Sequence, residues 1–396
     1  MGVMDMYRNE TFLVKHCREI LEFYRDRCID PAGGYFQNFF DNGEVFDHGT
    51  KHLVSSTRMM FNFYRGYFEF REQWMLEHAQ HGFEFLKTRH QRQDSRGFVW
   101  TLEDNEPADL TQYCYGYAFV MLSLSAAVKA REPGAAEWLD EVWELWESEF
   151  WLSEQGLYAD EISADWSEVS GYRGQNANMH ACEALLFCYE ATGQNRYLDR
   201  ARQLAEIFTG QLVSDTQGLI WEHYHQDLSI DWDFNRDDPK NLYKPWGFQP
   251  GHQTEWSKLL LMLHRHDENP EWLQRARFLF DKSMEVAWDH DFQGLYYGFA
   301  PDGSICDDDK YFWVQAESLA AAAMLAQTSG DDNYWQSCEK LWEYCWNHFV
   351  DHTHGAWFRL LTRNNHCVSN RKSEAGSKCD YHNLNALFEV IQVLRA

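Results

Sequence analysis

Ionisable side chains recur along this chain in a pattern that could move protons. His252 and Glu255 stand three residues apart, which on a helix places them on one face, so we expect the carboxylate to orient the imidazole and raise its basicity. His382 is a second candidate base, near the far end of the sequence. Two histidines with Arg58, and no nucleophile motif, suit proton transfer at a carbon beside a carbonyl group.

Metal, nucleotide and acyl-serine chemistry find little support in the sequence. Histidine pairs such as His223-x-His225 have a spacing that puts the two rings on different faces of a helix, and no H-E-x-x-H motif or cysteine cluster accompanies them. Glycine-rich nucleotide-binding loops and G-x-S-x-G are also missing from the sequence. We therefore predict no metal and no cofactor.

A short motif, in which glycine precedes aromatic or aliphatic residues, occurs six times. Each copy predicts a tight turn into a short strand, because glycine accepts a positive φ and aromatic residues favour extended backbone. The near-regular spacing of the copies indicates a repeat architecture. They begin at Gly34, Gly97, Gly156, Gly218, Gly294 and Gly355.

Two stretches of helical periodicity lie between successive turns, for example residues 51–70 and 74–90, or 178–192 and 196–211. One further helix precedes the first turn, at about residues 8–28, and one follows the last, at about residues 381–394. These two can pair and close a ring. We therefore predict an all-α fold: residues 1–396 form a single (α/α)6-barrel domain, a toroid of six helical hairpins with short β-hairpins at one mouth. An open helical solenoid is the alternative.

In such a barrel the helix after each turn is the inner one, and its first residues face one mouth. A lone histidine there is more often structural than functional, but several charges at equivalent helix ends are costly to bury without a ligand. The long polar segment 222–250 follows the fourth turn and is predicted to form a lid over the same mouth. The candidates at the six helix starts are Arg58, Tyr113, His180, His252 with Glu255, Trp313 with Glu317, and His382.

The amino-acid composition indicates which kinds of molecule the protein can bind and where it is located. The 396 residues include 62 acidic and 35 basic side chains, a net charge of −27, which argues against nucleic acid and anionic membranes. Aromatic residues make up 16% of the chain, and their flat apolar faces suit sugars. Ten cysteines at scattered positions predict reduced thiols in a cytoplasmic protein, and no apolar run is long enough to span a membrane. Monomer and homodimer both remain open.

Six motifs, taken in order and covering nearly the whole chain, resemble those of the N-acylglucosamine 2-epimerase superfamily. That group contains N-acylglucosamine and cellobiose 2-epimerases, and aldose–ketose isomerases that act on mannose or sulfoquinovose. The motifs are S-T-R-M at 56–59, Q-Y-C-Y-G at 112–116, Y-R-G-Q-N-A-N-M-H at 172–180, P-G-H-Q-T-E-W at 250–256, W-V-Q-A-E at 313–317 and Y-H-N at 381–383.

The resemblance implies an (α/α)6 barrel, no cofactor and two catalytic histidines, which match His252 and His382 here. By the same resemblance, His382 is the base that moves a proton between C2 and C1 through a cis-enediolate. His252, supported by Glu255, assists ring opening and proton transfer among the oxygens. The remaining candidates are implied to bind hydroxyls or to stabilise the intermediate: Arg58, Tyr113, His180, Glu255, Trp313 and Glu317.

The branch of the superfamily is set by smaller differences. Residues 174–181 and the P-G-H-x-x-E-W motif are most similar to the isomerases, whereas W-V-Q-A-E and Y-H-N also resemble the epimerases. Residues 241–246 lack the arginines of the sulfoquinovose type, so we expect isomerisation between D-mannose and D-fructose, with 2-epimerisation as the alternative. A glycoside hydrolase on the same barrel, using acids such as Asp109, Asp160, Glu161 or Glu222, is more distant, as is a non-catalytic sugar-binding toroid.

Overall fold

Twelve α-helices alternate between an outer and an inner ring in the part of the chain that this computed structural model describes, residues 7–94 and 96–396. The outer helices are α1 (Glu10–Arg25), α3 (Gln73–Phe85), α5 (Ala135–Phe150), α7 (Asn195–Glu206), α9 (Pro270–Ala287) and α11 (Asp332–His348). The inner helices are α2 (Leu53–Phe70), α4 (Cys114–Lys129), α6 (Gln175–Thr192), α8 (Pro250–His264), α10 (Phe312–Ser329) and α12 (Tyr381–Arg395).

The two rings differ in how they bury their residues. Outer helices are amphipathic: α11, for example, buries Tyr334, Cys338, Leu341, Trp342 and Cys345, which lie three or four residues apart on one stripe. Inner helices are buried on nearly every side. In α10 the run of alanines from 320 to 323 is fully buried, which lets neighbouring helices approach closely.

The inner ring is closed. Each inner helix packs against the next, from α2 through α4, α6, α8 and α10 to α12, and α12 in turn contacts α2. The terminal helices α12 and α1 also pack together, as their periodicity predicts. The (α/α)6 barrel is therefore confirmed, and the open solenoid is wrong.

The six glycine turns come shortly after the outer helices end. All six glycines have φ between 71° and 95°, the left-handed region that other residues adopt only with strain. A side-chain amide just before or in the first turn of the next inner helix then binds the backbone just beyond the turn. Gln112 accepts from the Phe98 N–H at 3.1 Å and donates to the Phe98 carbonyl at 2.9 Å. Gln253, Gln315 and Asn178 make the same pair of bonds in their repeats.

Sixteen short strands form antiparallel sheets of two or three strands in the described part of the chain. Several lead directly into inner helices, so the sheets lie at the mouth that those helix starts face, as predicted. The strands β1 to β16 are Asn38–Phe40, Val45–Asp47, Lys51–His52, Thr101–Glu103, Glu106–Asp109, Gln112–Tyr113, Trp151–Leu152, Leu157–Tyr158, Glu161–Ile162, Arg173–Gly174, His223–Tyr224, Gly298–Phe299, Ile305–Asp307, Lys310–Tyr311, Leu360–Leu361 and Arg371–Ser373.

Buried ion pairs hold three of these strands. In each pair a lysine within a strand binds an aspartate 21 residues earlier, shortly after an outer helix ends. They are Lys51–Asp30 (2.7 Å), Lys310–Asp289 (2.9 Å) and Lys372–Asp351 (2.6 Å). Among the described residues no helix combines the length and apolar character needed to cross a lipid bilayer.

Candidate active site

A cavity of about 660 Å³ opens where the inner helices begin, a volume typical of small-molecule sites. Every inner helix contributes a side chain to its wall. Glu317 lies directly behind His382, away from the cavity surface. The predicted residues that line the cavity are Arg58, Tyr113, His180, His252, Glu255, Trp313 and His382.

His382 is held as a neutral base. Its Nδ1 lies 2.7 Å from Oε1 of Glu317, and because a carboxylate only accepts, Nδ1 carries the proton and Nε2 keeps its lone pair. Nε2 is 3.5 Å from the Arg58 guanidinium. Burial, reinforced by the charge of Arg58, holds the pKa of His382 well below 6.5. Glu317, predicted to contact the sugar, therefore contacts the imidazole instead.

His252 has the same arrangement with a different carboxylate. Both oxygens of Glu222 lie 2.9 Å from its Nδ1, and Glu222 also accepts from the side-chain amide of Gln175 at 2.8 Å. The ring of Trp313 lies close to both bases, with its centroid 5.0 Å from His252 and 5.6 Å from His382. Two imidazoles, each with Nε2 available, thus share one cavity.

The prediction that Glu255 orients His252 is wrong. Glu222, which immediately precedes strand β11 and is 30 residues away in the chain, takes that role. Glu255 lies instead 3.8 Å from Nδ1 of His180 and 3.9 Å from Lys258. Neither oxygen of Glu255 has a hydrogen-bond partner among the described residues, although the side chain is fully buried. Burial and the nearby Glu317 raise the pKa of Glu255 well above 4.5, which favours its protonated form at the cavity.

A buried lysine connects the groups behind the cavity. Lys258 lies 2.7 Å from Glu317 and 3.0 Å from Glu183, and Glu183 in turn binds Nδ1 of His180 at 3.0 Å. Burial opposes the charge of Lys258, but the two carboxylates outweigh it and raise its pKa. Lys258 and Glu183 were missed from the sequence, although each stands three residues after a predicted site residue, Glu255 and His180, on the same inner helix.

Arg58 and His180 form one wall of the cavity. Arg58 donates to the Tyr115 hydroxyl at 2.8 Å, and its guanidinium lies 4.2 Å from the ring centroid of Phe119. Burial lowers the pKa of His180 to about 4, so this ring is neutral as well. Tyr113 lies farther out and packs on Trp100, with ring centroids 4.4 Å apart.

The lid segment, residues 222–250, covers part of the mouth. Glu222, His223, Asn235 and residues 241–245 line the cavity. Lys240 fixes the segment from outside, since its ammonium lies 3.2, 3.3 and 3.0 Å from Asp307, Asp308 and Asp309. The carbonyl of Pro245 binds Nε2 of His223 at 2.8 Å on the inner side.

Three groups of side chains have a spacing compatible with a metal ion: His180 with Glu183 and Glu255, Glu255 with Glu317 and His382, and the three aspartates 307–309. In the first two, the Lys258 ammonium already binds Glu183 and Glu317. In the third, Lys240 binds all three carboxylates. A lysine ammonium therefore already neutralises these acids, and the three groups fit a metal ion poorly.

Known proteins resemble this chain along nearly its whole length. The model of the family N-acylglucosamine 2-epimerase (GlcNAc 2-epimerase) matches residues 34–386. A D-mannose isomerase of Marinomonas mediterranea is 49% identical over 389 residues, with 98% of each chain covered.

Two solved structures share the fold. A crystal structure of D-mannose isomerase has a TM-score of 0.95 and 48% identity, and the match covers 97% of this chain and 98% of that one. The cellobiose 2-epimerase of Bacillus thermoamylovorans has a TM-score of 0.86 at 19% identity, covering 96% and 99%, and shows the fold alone. On this evidence, the chain belongs to the N-acylglucosamine 2-epimerase family.

Proposed function

We propose that this protein is a sugar isomerase that interconverts D-mannose and D-fructose. The observation that carries the proposal is the pair of histidines, His382 and His252, each with Nδ1 on a buried carboxylate and both lining one cavity. The extensive identity with a D-mannose isomerase supports D-mannose as the sugar.

The reaction begins with the open-chain form of mannose. Nε2 of His382 takes the proton from C2, the electron pair of that C–H bond forms the C1=C2 double bond, and the carbonyl oxygen O1 gains a proton. The result is a cis-enediol or its enediolate, and Arg58, 3.5 Å from Nε2 of His382, stabilises negative charge on its oxygens. His382 then returns its proton to C1 while O2 loses its proton and becomes the ketone oxygen of fructose.

The proton transfers between O1 and O2 need a second group. His252 fills this role in the proposal, because Glu222 fixes its Nδ1 proton and leaves Nε2 to accept from one oxygen and donate to another. Glu255 has no partner among the described residues, and in the protonated form that its raised pKa favours it donates a hydrogen bond to a sugar oxygen. His180, Tyr113 and Trp313 bind the remaining hydroxyls and the apolar face of the sugar.

The setting of the enzyme is part of the same proposal. We propose that the barrel, residues 1–396, acts as a single catalytic domain without a cofactor, whether as a monomer or a homodimer. All ten cysteines are free thiols, which fits the reducing cytoplasm.

Purified protein with D-mannose, followed by proton NMR, tests the proposal. We expect D-fructose as the product, and we expect His382→Asn and His252→Asn to abolish its formation while keeping the fold by circular dichroism. The proposal would be overturned if wild-type protein converted neither D-mannose to D-fructose nor D-fructose to D-mannose.

A second candidate is 2-epimerisation, which the presence of two histidine bases in one cavity favours. If His382 removes the C2 proton from one face and His252 returns one from the other, D-mannose becomes D-glucose. The same NMR experiment distinguishes the two, and N-acetylmannosamine and cellobiose test the other epimerase substrates. A hydrolase is less favoured, because Glu222 already binds His252 and Asp160 already accepts from the backbone N–H of Gly174.

A further inference from the structure

His52 is a cavity residue to which the mechanism assigns no role. It ends strand β3 and caps helix α2, and its side chain lines the cavity together with Trp100 and Gly376. The residue is only 9% exposed, and the edge contact of its imidazole with Trp100, at a centroid distance of 4.3 Å, holds the ring in place.

The capping bond decides which ring nitrogen carries the proton. The backbone N–H of Val54 donates to Nδ1 of His52 at 3.1 Å, so Nδ1 uses its lone pair and has no hydrogen. Burial, with a further contribution from His90, lowers the pKa of His52 to about 3, so the ring is neutral. A neutral imidazole has one N–H, and here it must be on Nε2.

The Nε2–H has no acceptor among the residues that the structure describes. That edge of the ring faces Gly376, and a Cβ built on Gly376 would lie 2.8 Å from Cδ2 and 3.0 Å from Nε2 of His52. Glycine at this position leaves the edge uncovered at the cavity wall. A fixed donor without a protein acceptor, in a cavity suited to a polyhydroxylated ligand, indicates an acceptor on that ligand.

Its place along helix α2 indicates which part of the ligand it meets. Arg58, next to Nε2 of His382, marks the carbons that react. His52 precedes Arg58 by six residues, which corresponds to about 9 Å along a helix axis toward the mouth. The two residues therefore lie at different depths of the cavity, and a hexose with C1 and C2 beside Arg58 would extend its other end toward His52.

We propose that His52 is a specificity-determining residue, whose Nε2–H donates a hydrogen bond to a hydroxyl oxygen at the C4–C6 end of the sugar. This inference rests on the proposed function, since it assumes that a hexose occupies the cavity with C1 and C2 beside His382.

Two substitutions separate the cap from the donor. His52→Asn keeps an acceptor at the position of Nδ1 and so retains the cap, but it lacks the Nε2 donor. His52→Gln has the reverse character, because its longer amide can reach the position of Nε2 but does not retain the cap geometry. We expect His52→Asn to raise KM for D-mannose about three- to tenfold with kcat and Tm close to wild type. We expect His52→Gln to lower Tm by about 1–3 °C with KM near wild type.

Deoxy sugars identify the hydroxyl. In wild-type protein, 4-deoxy- and 6-deoxy-D-mannose should each be compared with D-mannose, and the one that lacks the bound hydroxyl should show the higher KM. His52→Asn should then show no further penalty for that same sugar. The inference would be overturned if KM were unchanged in His52→Asn. It would also be overturned if KM and Tm changed in parallel in both variants, as they would for a purely structural residue.

Failure of the proposed function gives a different result. Wild-type protein would then not isomerise D-mannose at all, and KM could not be measured. Titration calorimetry with D-mannitol, an open-chain hexitol that cannot isomerise, measures the His52 contribution independently. We expect a Kd about three- to tenfold higher in His52→Asn, and an equal Kd in the variant and wild type would contradict the role of His52.

Discussion

Replacing Glu317 by glutamine should switch the tautomer of His382. One oxygen of Glu317 lies 2.7 Å from Nδ1 of His382, and the other lies 2.7 Å from the ammonium of Lys258. An ammonium can only donate, so the glutamine oxygen must face Lys258 and its NH2 group must face Nδ1. Nδ1 then becomes an acceptor, the ring proton moves to Nε2, and the lone pair that takes the C2 proton is lost.

The size of the effect is set by the loss of one general base. General-base catalysis contributes about 10²–10⁴ to rates, which corresponds to about 3–5 kcal/mol of activation free energy. We therefore expect kcat of Glu317→Gln to fall by that factor. KM should change little, because Glu317 does not line the cavity. Product formation from D-mannose at saturating substrate measures kcat, and 15N NMR of the histidine rings reports the tautomer.

Glu222→Gln is the matched control. One oxygen of Glu222 lies 2.9 Å from Nδ1 of His252 and 2.8 Å from the amide nitrogen of Gln175, so a single amide oxygen in that place can accept both bonds. The tautomer of His252 is then retained, and we expect kcat to fall only about tenfold, within the range of a lost charge-assisted bond. Two results would rule out tautomer control of His382 by Glu317. One is a kcat of Glu317→Gln within about tenfold of the wild-type value, and the other is a kcat that falls further in Glu222→Gln than in Glu317→Gln.

Three further predictions concern the groups around the two histidines. Lys258→Met leaves Glu183 and Glu317 buried without a cation, so urea denaturation should show the free energy of unfolding reduced by about 3–5 kcal/mol, and an unchanged value would contradict the network. The pKa of His382 lies well below 6.5, and since the base form exists above the pKa, 15N NMR at about pH 5.5 should still show a neutral ring; a midpoint near 6.5 would contradict this. Lys240→Met frees the lid segment from Asp307, Asp308 and Asp309, so KM for D-mannose should rise by a larger factor than kcat falls. Lys282→Met is the control, because it removes an exposed lysine of an outer helix, and it should change neither KM nor kcat.

The sequence allowed the barrel to be predicted because its signals are local. The glycine turns, the helical periodicity between them and the matching terminal helices all appear within short windows. The errors are at helix ends. The helix predicted over residues 8–28 is Glu10–Arg25, because the Asn9 side chain caps its start. The stretch predicted over residues 74–90 ends its α-helix at Phe85 and continues as a π-helical turn, Leu86–His90.

The site was predicted less completely, since its key contacts join distant segments. Glu222 reaches His252 only because strands β10 and β11 pair and bring the start of the lid segment against helix α8. The spacing of His252 and Glu255 favoured a local partner, which the structure replaces with this distant one. Lys258 is different, because its position three residues after Glu255 on an inner helix marks it as an inward-facing charge. That signal was present in the sequence.

The proposed mechanism depends above all on His382 moving a proton between C2 and C1 of the sugar. Proton NMR of unlabelled D-mannose and wild-type protein in D2O, run until mannose and fructose reach equilibrium, tests this step most directly. We expect fructose with deuterium at one of the two C1 positions, because the proton on a histidine exchanges with solvent over repeated turnovers. Fructose with two protons at C1 in every molecule at equilibrium would indicate a direct hydride shift and would contradict proton transfer by His382.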